Sequence, residues 1–148
     1  MAVSYLELER RNPTGQHVEI GTNGVLIFDT IVSSEGLGTQ IGYDLVTGII
    51  TFLEAGFYYI DWYTAPYFGL TTDGSNWAIR TSISGLSFIG SSHTKVSITT
   101  GFAIINAVIG ETARLVNVSD GAISLSQAVQ SKAGLIVYSV ANMSLSSV

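Results

Sequence analysis

Three stretches of this sequence are apolar on both faces of any strand they could form, and that limits the architectures open to the chain. In a β-strand, side chains alternate between opposite faces, so residues i, i+2 and i+4 share one surface. Across 57–63, one face carries Tyr58, Ile60 and Trp62, and the other carries Phe57, Tyr59 and Tyr63, with Asp61 as its only polar member. Across 102–109, Phe102, Ile104 and Val108 oppose Ala103, Ile105, Ala107 and Ile109. Across 133–140, Leu135 and Val137 oppose Ile136, Tyr138 and Val140. An antiparallel sheet of this kind must be covered on both sides. A second sheet covers one side; another copy of the chain is the expected cover for the other, because monomers rarely expose large contiguous apolar patches. A loop or terminal segment of the same chain is the alternative cover.

The remaining pattern is short apolar or alternating runs broken by Gly, Asn, Asp and Ser, which predicts an all-β sandwich of antiparallel sheets. Strands are expected over 3–9, 25–28, 48–52, 56–64, 77–84, 96–109 (with a bend), 112–117, 122–125 and 133–140. No stretch carries an apolar helical stripe between caps. Asp73-Gly74 and Asp120-Gly121 suit tight turns, since both dipeptides tolerate positive φ. The 148 residues make a single domain, 1–148, with an N-terminal strand and charged arm over 1–16.

Composition narrows the function classes. Charged residues are only 11%, and six Lys and Arg stand against eleven Asp and Glu, a net charge of −5 that disfavours a nucleic-acid partner. The absence of Cys excludes disulfides, thiolate metal sites and Cys nucleophiles. The opening MAVSYLELERRNPTGQ has no basic segment leading into an apolar run, so no signal peptide is expected, and no apolar run approaches the 18 or so residues of a spanning helix. An outer-membrane barrel of similar length would need one polar-lined face on every strand, and the two-faced strands do not supply it.

Catalysis has little to build with. His17 and His93 stand alone among polar residues, without a second His at metal-ligand spacing, and neither a nucleophile elbow nor a phosphate-binding glycine motif is present. No catalytic residue, cofactor or metal is expected. Asp61, set among aromatics, would need Arg80 or Arg114 as a partner if buried. Asp73, Trp77 and Asp120, beside loops, form a possible ligand loop, with Trp77 the candidate sugar platform. Asn117-Val118-Ser119 and Asn142-Met143-Ser144 are glycosylation sequons.

The run from Tyr43, YDLVTGIITFLEAGFYYI, resembles the signature of the complement C1q globular head and its tumour-necrosis-factor-like relatives. It keeps Tyr43, Asp44, Thr47, Gly48, Thr51, Gly56 and Tyr58 at the family spacing, with Ile50 and Ile60 where Phe is usual. Phe28-Asp29-Thr30 upstream, 103–115 downstream and the close Ala133-Gly134-Leu135-Ile136-Val137-Tyr138 are similar to family segments in family order, so the resemblance covers about 24–140. The middle stretch also looks like the C-terminal domain of bacterial collagen-like spore-surface glycoproteins of the BclA type. The resemblance implies a ten-stranded jelly roll that assembles as a homotrimer, with the strands at 56–64, 102–109 and 133–140 in the inner sheet around the threefold axis. It marks Tyr43, Gly48, Gly56, Tyr58, Ile60 and Gly134 as core signature residues, and in some relatives loop carboxylates at the apex bind calcium. Together with the two-faced strands it implies Phe57, Tyr59, Tyr63, Ile105, Ile136 and Tyr138 at the trimer interface, although strand parity leaves open which face of 102–109 and of 133–140 points to the axis. The expected role is a structural head at a bacterial spore or cell surface, partnered by its own copies and by surface-layer or spore-coat proteins or carbohydrate. The other reading is a recognition module that binds a receptor or carbohydrate through apical loops. No Gly-X-Y repeat occurs in these residues, so the domain is expected to be an excised head or a freestanding relative.

Overall fold

A computed structural model describes residues 3–11, 18–83, 85 and 87–140. Thirteen strands and no helix are present among them. Eight of the strands answer to sequence-expected segments, and three of these have the expected bounds: β6 (Gly56–Thr64), β11 (Thr112–Asn117) and β13 (Ala133–Val140). The others are β1 (Tyr5–Arg10), β5 (Ile50–Phe52), β8 (Ser75–Thr81), β10 (Thr99–Ala107) and β12 (Ile123–Leu125). β2 (Val18–Ile20), β3 (Thr30–Glu35), β4 (Ile41–Tyr43), β7 (Pro66–Gly69) and β9 (Ser87–Ser92) were not expected, being short or polar. The expected strand over 25–28 is only an isolated bridge from Val25 to Val116.

The first sheet has the order β10-β6-β13-β1-β3 and the second β4-β5-β11-β8-β9, while β2-β12-β7 form a small third sheet. Every named strand pair is antiparallel. The two five-stranded sheets enclose a core of Leu6, Leu8, Phe52, Ile60, Trp62, Trp77, Ile79, Ile105, Leu115 and Val137, each at most 2% exposed. Burying aliphatic and aromatic side chains of this size contributes about 1.5–3 kcal/mol each.

Of the signature residues, Tyr58 and Ile60 lie in this core and Tyr43 packs against it, whereas Gly134 was expected there but lies on the outward face of the first sheet, beneath the Tyr63 ring. Tyr58 is 2% exposed, stacks obliquely on Phe52 with ring centroids 4.5 Å apart, and donates its hydroxyl to the Glu54 carbonyl at 2.7 Å. Tyr43 donates to the Phe28 carbonyl at 2.8 Å and accepts from the Phe28 N–H, and burial pushes its phenol up to about 12. Asp44 caps the following turn through the Val46 N–H, which holds its carboxyl below the usual range. Gly48 closes that turn at φ +75°, where a Cβ would also lie 3.1–3.2 Å from Val25 and Ile27. No β-carbon fits there without strain. A second close approach lies at the open side of the sandwich, where a Cβ on Gly101 would stand 2.3 Å from the Trp62 ring and one on Gly90 would stand 2.7 Å from it.

Candidate functional site

The outward face of the first sheet carries most of the residues expected at an interface. Strand register arranges it as cross-strand rows: Ile104, Tyr59, Tyr138 and Tyr5 in one, and Phe102, Asp61, Ile136 and Glu7 in the next. A third row joins Asn106, Phe57 and Val140. The Tyr59 ring stacks on Phe102 at 6.2 Å and tilts against Tyr138 at 5.2 Å, forming an aromatic strip across three strands. Phe102 is 65% exposed, Ile104 55% and Phe57 45%, so these side chains stand in water in the single chain. Partial burial among its neighbours, with Asp61 and Tyr138 adding, raises the Tyr59 phenol above its ordinary value.

Beyond this strip the face turns acidic. Glu7, Glu9 and Asp61 surround a hollow of about 280 Å³ that is also lined by Tyr63, Thr100, Gly134 and Ile136. Its floor is low because Gly134 lacks a side chain: a Cβ there would be 2.4 Å from the Tyr63 ring. Tyr63 lies over that glycine and hydrogen-bonds Ser131, and Glu9 pairs with Arg11 at 2.7 Å.

Five of the six expected interface residues, Phe57, Tyr59, Tyr63, Ile136 and Tyr138, fall on this outward face. Ile105 does not. It lies opposite Tyr58 in register and is 1% exposed, so it belongs to the sandwich core. Its strand turns Phe102 and Ile104 outward instead, because Ala103 and Ala107 are the small residues that fit beneath the opposing sheet. That size contrast was the available signal. Asp61 is exposed, and Arg80 and Arg114 are on β8 and β11 of the other sheet, so neither is its partner within the chain.

The expected ligand loop is also redrawn. Trp77 is 0% exposed, and its indole N–H donates to Ser75 Oγ at 3.0 Å, which makes it a core residue and not a sugar platform. Asp73 and Asp120 are exposed turn residues. Asp120 accepts from both the hydroxyl and the N–H of Thr72, and these bonds hold its carboxyl below the usual range. The exposed apolar groups at that end are Tyr67, Phe68 and Leu70, which follow from a register slip between β7 and β12 that turns Tyr67 and Phe68 outward together. His93 is exposed and His17 lies outside the described residues; among those residues no group of three His, Cys, Asp or Glu could hold a metal. The sequon at Asn117 is occupied internally: its buried amide donates to the Ile20 and Gly121 carbonyls at 2.9 and 3.0 Å. Asn142 lies outside the described residues.

No protein-family model matches this sequence, and no curated protein matches it. Solved structures do. The globular domain of zebrafish complement 1qA aligns over 95% of this chain and 99% of its own, with TM-score 0.65 at 12% identity. Murine APRIL aligns over 94% and 100%, with TM-score 0.64 at 12% identity. The fold is a C1q/TNF-like jelly roll. The vertex protein P5 of PRD1 shares it, with TM-score 0.61 at 16% identity over 93% of this chain and 96% of its own. This jelly roll has no helix among its described residues long and apolar enough to cross a membrane.

Proposed function

We propose that this C1q/TNF-like domain is the self-assembling head of a structural protein at a bacterial spore or cell surface, forming a homotrimer through the outward face of its first sheet. The observation that carries this reading is the strip of Phe57, Tyr59, Phe102, Ile104, Tyr138 and Val140, all exposed or half-exposed on one side of three adjacent strands. Covering about 1,000 Å² of such surface per chain contributes on the order of 25 kcal/mol before the costs of association. The number three follows from the resemblance to C1q and TNF heads, and a vertex protein among the structural neighbours accords with a structural role at a surface. The acidic hollow lies at the edge of the strip, where rim charges set orientation and partner choice more than affinity.

Light scattering tests the reading. Three chains of 15.7 kDa predict an assembly of about 47 kDa at micromolar concentration. A mass near 15.7 kDa under the same conditions removes it.

A recognition role through the end that carries Tyr67, Phe68 and Leu70 is the second reading. The exposure of two consecutive aromatic side chains there favours it.

A further inference from the structure

The outward face of the second sheet, opposite the aromatic strip, carries an unusual placement of charge. Arg80 on β8 stands directly across from Arg114 on β11, so two of the six cations in a chain of net charge −5 share one cross-strand position. Like charges directly opposite each other destabilise a sheet. Neither guanidinium forms an ion pair among the described residues, which include every Asp and Glu of the sequence; both ion pairs there involve Arg10 and Arg11.

One of the two arginines is held. Arg80 Nη1 donates to Asn23 Oδ1 at 3.3 Å, and Asn23 is the one described non-glycine residue at positive φ, 65°. Its own N–H donates to the Asn117 carbonyl at 2.7 Å, which fixes that conformation. Asn23 lies in the turn closed by the Gly24 N–H and the Gly21 carbonyl, a conformation asparagine adopts readily, and from there its amide oxygen orients the Arg80 guanidinium. The surround is hydroxylic: Ser87 is paired with Arg80, Ser82 continues β8, and Thr112 and Thr51 face each other next to Arg114. In the adjoining row Ile89, across from Ala78, is 64% exposed.

We propose that Arg80 and Arg114 form a binding site for the carboxylate of an acidic sugar residue. A guanidinium fork matches a carboxylate bidentately. Neighbouring hydroxyls suit sugar hydroxyls, and Ile89 offers an apolar surface to the C–H face of a pyranose ring. The overall negative charge repels polyanions of high charge density, so a ligand with one carboxylate per sugar fits better than a nucleic acid or a polysulfate. The two arginines lie on the sheet opposite the assembly face, while Ile89 at its edge also lines a hollow with Tyr59 and Phe102; the mass measurement reports assembly, and loss of sugar binding in the arginine variant reports the site.

The test is calorimetric titration of the full chain with trigalacturonic acid, with its fully methyl-esterified form, and with the Arg80→Gln/Arg114→Gln double variant. The wild type is expected to bind the acid saturably with a Kd of about 1 mM or tighter. The ester and the double variant are each expected to bind at least tenfold more weakly. The variant should melt at or above the wild-type temperature, since a like-charge pair is removed, and that separates lost binding from lost folding. No saturable binding of the acid by the wild type up to about 10 mM overturns the proposal. So does equal binding of the ester, or equal binding by the double variant.

Discussion

Tyr59→Glu is expected to reduce the assembly to single chains at micromolar concentration. The new carboxylate would sit between the rings of Phe102 and Tyr138, which lie 6.2 and 5.2 Å from the Tyr59 ring. Covering that strip with a sister chain would then bury an unpaired charge, at an effective cost of several kcal/mol per site. A penalty of about 3 kcal/mol at each contact weakens each by more than a hundredfold. Tyr59→Phe keeps the ring and adds no charge, so it should keep the assembled mass. Sedimentation equilibrium on both variants checks the pair. An assembled Tyr59→Glu protein, or a dissociated Tyr59→Phe protein, would place the contact elsewhere.

Trp77→Ala has the larger expected effect on stability. Trp77 is fully buried, and its indole N–H donates to Ser75 Oγ, which in turn accepts from Thr99 Oγ1 at 3.2 Å across the sandwich. Removing the ring opens a cavity between the sheets and costs about 3–5 kcal/mol. In a chain of this size that lowers Tm by roughly 10 °C. Urea unfolding should show the same loss as a lower midpoint with little change in slope. A Trp77→Ala protein of normal stability that no longer bound sugar would reinstate Trp77 as a ligand platform.

Much of this fold was legible because its central strands announce themselves. β6 and β13 are long and rich in aromatic and β-branched residues, β11 alternates Ala113 and Leu115 against Arg114 between clear turns, and tertiary pairing leaves the ends of all three where the sequence puts them. The strands that escaped notice lie at sheet edges or in the small third sheet. β3 reads TIVSSE, with too few apolar residues to signal a strand, and it exists because β1 offers it a hydrogen-bonding partner. β2, β4 and β7 are three or four residues long, below the length at which alternation means anything.

The proposed assembly face was legible to the level of the strand, and less so to the level of the face. For β6 the sequence settles the matter, since Asp61 marks the outward side and Tyr58, Ile60 and Trp62 make the better core. β10 has no charged marker, and Ile105 and Ile104 are alike in character; only the small Ala103 and Ala107 against the larger Phe102 point to the buried face. Trp77 misled because it sits two residues from a loop, yet the inward pleat of β8 carries it into the core. The Arg80–Arg114 pairing was invisible for a different reason. The two residues are 34 positions apart, and their meeting depends on the register of β8 against β11, which no local pattern encodes.

Since the chain has no cysteine, single thiols can report directly on what covers the aromatic strip. Ile104→Cys places one within the strip, and Leu70→Cys places one at the exposed end of the sandwich, where the native side chains are 55% and 65% exposed in the single chain. If sister molecules cover the strip, the thiol at 104 reacts with a soluble disulfide reagent at least ten times more slowly than the thiol at 70, a free-energy difference of about 1.4 kcal/mol or more. Equal labelling rates in the native protein would mean that the strip stands in water, and the assembly through this sheet would be wrong.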